Sequence, residues 1–147
     1  MQVKKILVPI DFSENSHKII QYGAYVAKQF GAEMEAIFVA QTFMDYSEFF
    51  EPQMSVIQFE EDLVASARER MKTFLEENLE PSAACSSMVM TGDIAETILE
   101  YAKAQQVDLI VMGTHGYKGL EKVLFGSIAE KIVKKSACPV LTINPYR

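Results

Sequence analysis

A doubly wound α/β fold, a single five-stranded parallel sheet with helices on both faces, is predicted by two features of this sequence. Short apolar runs alternate with amphipathic segments along the whole chain, which is the rhythm of βαβ units. The first and fourth runs, KKILVPI at 4–10 and DLIVMG at 108–113, show almost no polar alternation. Strands of that kind belong to a sheet covered on both sides. The 147 residues match the size of one ordinary domain.

The elements follow in order. After the first strand, Ser13 or Ser16 can cap a helix in which Ile19, Tyr22, Gly23, Val26 and Phe30 fall at helical spacing, and Gly31 stops it. EMEAIFVA at 33–40 is the second strand. A helix over about 56–79 puts Phe59, Leu63, Ala67, Met71 and Phe74 on one stripe, with Pro81 beyond its end. ACSSMVM at 84–90 is a weaker third strand. Asp93 and Glu96 form a capping box for the next helix, whose Ile94, Ile98 and Tyr101 or Ala102 face inward. The fourth strand leads to a helix with Leu124, Ile128 and Ile132 as its apolar stripe, and PVLTI at 139–143 closes the sheet. One segment breaks the rhythm: residues 41–55 hold Phe43, Tyr46, Phe49 and Phe50 among acidic residues, and a connection of that length calls for a reason. It reads as a lid, as a docking patch for a protein partner, or as aromatics folded back on the core.

Composition excludes several classes. The net charge of −6 argues against non-specific nucleic-acid binding. The charge is uneven: residues 117–135 carry five lysines against two glutamates, net +3, which leaves −9 for the rest. A basic patch of that size suits a small anion better than a polyanion. Cys85 and Cys138, the two cysteines, read as buried small hydrophobes and not as a disulfide framework or metal site. The apolar run near the N-terminus is too short for a signal peptide, and no run is long enough to span a bilayer. The expected location is the cytoplasm, with no membrane association.

Four of the seven glycines, Gly113, Gly116, Gly119 and Gly126, stand where the fourth strand meets the last helix. Glycines there let backbone N–H groups approach an anion, and a helix N-terminus favours negative charge. Ser127, just after Gly126, adds a hydroxyl donor. Neither the P-loop pattern nor the dinucleotide GxGxxG pattern is present. What stands here is Gly113-x2-Gly116-x9-Gly126-Ser127.

With that spacing, and with ILVPIDFSENS, GDIAETILEYAKAQQVDLIVMGTHG and LFGSIAEKIVKKSACPVLTI, the chain resembles the universal stress protein family over essentially its full length. The glycine spacing resembles the nucleotide-binding branch. The resemblance implies a fold of the adenine-nucleotide alpha hydrolase type with strand order 3-2-1-4-5, an ATP site (or ADP or AMP) with Mg2+ or Mn2+ bound through the phosphates, and homodimers joined through strand 139–143. Carried over by position, Val39 meets the adenine edge, Pro9 forms part of the adenine wall, and Asp11 faces the adenosine. Gly113, Thr114, His115, Gly116, Tyr117, Lys118 and Gly119 wrap the ribose and phosphates, together with Gly126, Ser127, Ile128 and Ala129. Ala129 stands where nucleotide-binding members often carry a hydroxyl, which removes a donor to the terminal phosphate or its metal.

Other readings attach to the same residues. Asp11 can also cap the first helix, and Lys118 and Lys122 read equally as solvated charges or as screens of phosphate charge. His115 reads as loop structure, since the sequence shows neither a proton for it to take nor a group to orient it. No catalytic residue and no protein metal ligand is assigned, so hydrolysis is expected to be slow or absent. The rival functions are an interaction module of the same fold that binds no nucleotide and an enzyme using the same crevice with a second substrate.

Overall fold

The computed structural model describes residues 1–42, 54–115 and 126–147, with the side chains of 54–56 left aside. Its elements are β1 (Lys5–Pro9), α1 (Ser16–Phe30), β2 (Glu33–Gln41), α2 (Met54–Asn78), β3 (Cys85–Gly92), α3 (Ile94–Ala104), β4 (Leu109–Gly113), α4 (Ser127–Lys135) and β5 (Val140–Ile143). All four strand pairings are parallel, in the order β3-β2-β1-β4-β5. This is the fold class and strand order expected from the sequence, with boundaries shifted by one or two residues.

Strand side chains alternate between faces, and the two faces hold two separate cores. Ile6, Val8 and Ile10 of β1 and its continuation join Ile20 and Ala27 of α1 and Ala67 and Met71 of α2. Leu7, Ile37, Val39 and Ile110 join Ala95, Ile98 and Ala102 of α3 and Ala129 and Ile132 of α4. Burial on both faces explains why β1 and β4 read as unbroken apolar runs.

The helices depart from the expected stripes. In α1, Tyr22 is 48% and Phe30 56% exposed, whereas Ile19, Ile20, Gly23 and Ala27 are buried. The helix sits close to the sheet at Gly23, where a Cβ would come within 2.7 Å of Val8 Cγ2, and Ile19, Ile20 and Ala27 share that inward face in place of Tyr22 and Phe30. Asn15 holds the N-cap position without a side-chain cap bond, so neither Ser13 nor Ser16 caps α1. Gly31 ends it in the left-handed region, φ 62°, as expected. In α2, Phe59 is 67% and Leu63 37% exposed while Ala67 and Met71 are buried, because the C-terminal half of the helix is what rests on the sheet. In α4, Ala129 and Ile132 are buried and Ile128 is 37% exposed; Leu124 lies outside the described residues.

The capping box of α3 forms by half. Asp93 Oδ1 accepts from Glu96 N at 2.9 Å, but the Glu96 carboxylate takes Lys131 Nζ at 2.9 Å. That backbone N–H, first of all, holds the Asp93 carboxyl below the usual carboxylate range. The cysteines are half-buried rather than buried, and both are free. Burial pushes the Cys85 thiol up to about 11, which leaves it a poor nucleophile at neutral pH.

One polar pair is buried beneath α3. Glu35 of β2 is 8% exposed and accepts from the Tyr101 hydroxyl at 3.0 Å. Its other oxygen, Oε2, lies 3.6 Å from Lys5 Nζ and has no hydrogen-bond partner among the described residues. Tyr101→Phe is therefore expected to destabilise the fold by about 1.5–3 kcal/mol, the worth of a hydrogen bond to a charged group. Burial, and next the bond to Glu35, push the Tyr101 hydroxyl up to about 12. Unfolded tyrosine titrates near 10, at about the model-peptide value, so the folded protein holds this proton more tightly. The stabilisation is complete below about pH 10 and is lost as pH rises through about 12. Denaturant unfolding at pH 8 and pH 11 should show the wild type losing more stability between the two than Tyr101→Phe.

Candidate functional site

At the carboxyl ends of β1 and β4 the chain departs to opposite faces, through α1 on one side and α4 on the other. Such a switch point opens a crevice in any doubly wound sheet. Here it is a cleft of about 600 Å³, within the range of about 300–1,000 Å³ usual for small-molecule sites.

The β1 end supplies one wall. Ile10 N donates to Ile37 O at 2.8 Å, which prolongs the β1–β2 ladder by one rung. The chain then turns at Phe12, whose φ of 57° is left-handed. That conformation costs a residue bearing a Cβ roughly 1–2 kcal/mol. Asp11 Oδ1 gathers Ser13 N and Ser16 Oγ, each at 2.9 Å. Asp11 thus braces the turn before α1 while lining the cleft, but it does not cap the helix, whose N-cap is Asn15.

The β4 end supplies the other wall. A Cβ at Gly113 would stand 3.3 Å from both His115 O and Ile19 Cδ1, so a side chain there would press α1 outward. Thr114 N donates to Ile143 O at 2.9 Å. Thr114 Oγ1 and His115 Nδ1 share a hydrogen bond of 2.7 Å, and both residues are buried. The His115 ring meets Tyr146 edge-on at 5.4 Å between centroids.

A third contact joins α4 to this wall. Gly126 N donates to Thr114 O at 2.7 Å, and the first intrahelical bond runs from Glu130 N to Gly126 O at 3.0 Å. The amides of Ser127, Ile128 and Ala129 precede that bond, and the first amides of a helix have no partner within it. These three residues border the cleft, and Gly126, at the cap position, offers no side-chain cap. The positive end of the α4 dipole therefore opens onto the cavity.

Ten of the residues expected at the site line this cleft: Pro9, Asp11 and Val39; Gly113, Thr114 and His115; and Gly126 to Ala129. Gly116, Tyr117, Lys118 and Gly119 lie outside the described residues, as does Lys122. So does most of the segment 41–55. Sequence reasoning missed Ile10, Gln41 and Met112, and it read Ile94 and Ile98 as core although both also face the cavity. Their inward periodicity was visible, but not that the inward direction ends in a cavity. Asp11 is the only formally charged side chain among the described lining residues.

Among the described residues no three His, Cys, Asp or Glu side chains could together hold a metal ion, and no helix is long and apolar enough to cross a membrane.

A five-stranded parallel sheet in the order β3-β2-β1-β4-β5, with helices on both faces and a cleft at its switch point, defines a doubly wound α/β protein. The chain belongs to the universal stress protein family, whose model matches residues 2–144. It is 35% identical over 143 residues to universal stress protein MJ0531 of Methanocaldococcus jannaschii, covering 96% of this chain and 82% of that protein. The solved structure of universal stress protein UspA from Lactobacillus plantarum superposes with a TM-score of 0.78 at 23% identity, covering 98% of this chain and 99% of that one. Two more distant structures share the fold. One is a universal stress protein in complex with cAMP, with a TM-score of 0.63, 16% identity and coverage of 99% of both chains. The other is the universal stress protein from Archaeoglobus fulgidus in complex with dAMP, with a TM-score of 0.60, 17% identity and coverage of 98% and 100%.

Proposed function

We propose that the cleft binds an adenine nucleotide (ATP, or ADP or AMP) as a regulatory ligand of a cytoplasmic universal stress protein that works as a homodimer. The observation that carries this reading is the hydrogen bond from Gly126 N to Thr114 O. It holds the start of α4 against the end of β4, so that the open amides of α4 border the same cleft as the apolar side chains of Val39, Ile98 and Met112. One end of the cavity suits a phosphate and the other a flat, largely apolar base. The two structures of the same fold that carry cAMP and dAMP support the choice of base. Pro9 and Val39 are read as the base contacts and Asp11 as a contact to the adenosine, at its ribose or its base. The segment from Gly113 to Gly119 and the residues Gly126 to Ala129 are read as the phosphate cradle, with Mg2+ or Mn2+ carried on the phosphates. The dimer is read at β5, whose edge position and 38% exposed Leu141 leave a strand to be covered.

Hydrolysis is read as slow or absent, because His115 Nδ1 is engaged by Thr114 within a buried pair. The test is titration calorimetry with ATP, ADP and AMP, each with and without Mg2+, after mass spectrometry of whatever copurifies. The expected result is a recovered adenine nucleotide and saturable binding at one site per chain. A protein free of nucleotide and indifferent to all three sinks the reading in favour of an interaction module, and a turnover of about 10 per second or more sinks the regulatory role.

A further inference from the structure

We infer that Phe12 is a positioning residue for the nucleotide cleft: its strained backbone, clamped by side chains of β2 and α2, aims Asp11. The inference rests on the reading of the cleft as a nucleotide site. Phe12 and Gln106 are the two non-glycine residues with positive φ among the described residues. At φ 57° a bulky side chain is an outlier, a conformation that glycine or asparagine adopts freely. Such strain persists only where surrounding contacts over-determine it.

Those contacts are present. The Phe12 ring lies 4.7 Å from the Phe38 ring and 5.8 Å, edge-on, from the Phe74 ring of α2, and the Arg70 guanidinium sits 4.5 Å above it. Phe12 follows Ile6, Val8 and Ile10 in the alternation, so its ring belongs to the core on the α1/α2 face. Its neighbour Asp11 leaves toward the cleft. The left-handed turn at Phe12 is what brings Ser13 N back to within 2.9 Å of Asp11 Oδ1. Oδ1 is engaged by Ser13 and Ser16, and among the described residues no hydrogen bond reaches the other carboxylate oxygen, which a ligand could use. A clamp between β2 and α2 thereby sets the direction of a carboxylate on the cleft wall.

The experiment compares wild type, Phe12→Gly, Asp11→Asn and the double variant by ATP calorimetry. Glycine keeps the left-handed turn accessible and removes only the clamp. Phe12→Gly should bind at least tenfold more weakly, and the double variant should bind within twofold of Asp11→Asn alone, because both changes remove one interaction. A Phe12→Gly variant within twofold of wild type, or losses that multiply in the double variant, overturns the inference. Phe74→Leu covers the case of a poorly folded Phe12→Gly. Phe74 lies outside the described cleft lining and should still weaken ATP binding about threefold through the ring contact; unchanged affinity overturns the inference. Amide exchange at Ser13 in the nucleotide-free protein separates this inference from the function. If wild type binds no nucleotide, the functional reading fails. Ser13 exchange at least threefold faster in Phe12→Gly still upholds the positioning role, whereas unchanged exchange refutes it.

Discussion

Gly126→Asp is expected to weaken nucleotide binding about 100-fold while leaving the fold as stable as before or more so. Gly126 occupies φ −68° and ψ 155°, extended backbone open to any residue. Among the described residues, a Cβ there would meet Thr114 O at 3.4 Å, which is ordinary contact. The position is the N-cap of α4 and no side chain caps it. Aspartate is among the best N-cap residues and also interacts favourably with the helix dipole, so a gain of about 0.3–1 kcal/mol in stability is expected. The same carboxylate would accept the amides proposed to hold phosphate and would repel the anion. A loss of about 100-fold in affinity, or about 2.8 kcal/mol, follows from those two effects. Gly126→Asn has nearly the same shape and capping ability without the charge, and should lose about tenfold. Calorimetry with ATP, set beside thermal unfolding of the three proteins, checks both halves. An Asp variant that binds like wild type would move the phosphate away from α4.

Gly23→Val is expected to give the largest loss of stability of any single change considered, about 3 kcal/mol. Gly23 lies on the face of α1 that presses on the sheet. A Cβ there would come within 2.7 Å of Val8 Cγ2 and 3.2 Å of Met34 Sδ. Val8 and Met34 are 0% and 3% exposed; the flexible Met34 can give a few tenths of an ångström, but Val8 is β-branched and stiff at χ1 and yields only if backbone moves. Gly23→Ala gains about 1 kcal/mol in helix propensity against overpacking of about 1–3 kcal/mol, for a net cost of about 1 kcal/mol. The valine adds two further methyl groups to the same contact. At about 4 °C per kcal/mol for a chain of 147 residues, Gly23→Val should melt about 12 °C lower. A melting temperature within about 2 °C of wild type, about half the shift from 1 kcal/mol, would show that α1 can slide off the sheet freely. The consequence reaches the cleft, because α1 also carries Ser16 and Ile19 on its lining.

The fold was legible wherever a property is local. The runs at β1 and β4 marked strands buried on both faces, and Gly31 marked the end of α1 through its left-handed φ of 62°. Asp93 marked the start of α3, since an N-cap needs only its own helix's amides. Most of the candidate site was legible by resemblance, through Pro9, Asp11, Val39 and the glycines around Gly113 and Gly126. The stripes of α1 and α2 were right at Ile19, Gly23, Ala67 and Met71 and misread at Tyr22, Phe30, Phe59 and Leu63. Periodicity says which residues share a face, but not how closely the neighbouring layer approaches that face or how far it extends. Tyr22 and Phe30 fit the period of α1 and lie exposed, while the face that meets the sheet is centred on Gly23 and filled by Ile19, Ile20 and Ala27.

By itself, the sequence determined the kind and order of the elements, the two-faced burial of the sheet and the family. Each of these is written in windows of a few residues or in spaced motifs. Only the tertiary structure decided which groups meet across long stretches of chain. It paired Glu35 with Tyr101, 66 residues apart. It brought Gly126 N to Thr114 O and so turned a helix start toward a strand end. It made Ile94 and Ile98 cleft wall as well as core, and it held Phe12 in a backbone conformation its own side chain disfavours. The physical reason is the same in each case: a contact's energy depends on the position of a distant partner, and that position is set by strand pairing and layer packing, not by the residues nearby in the chain.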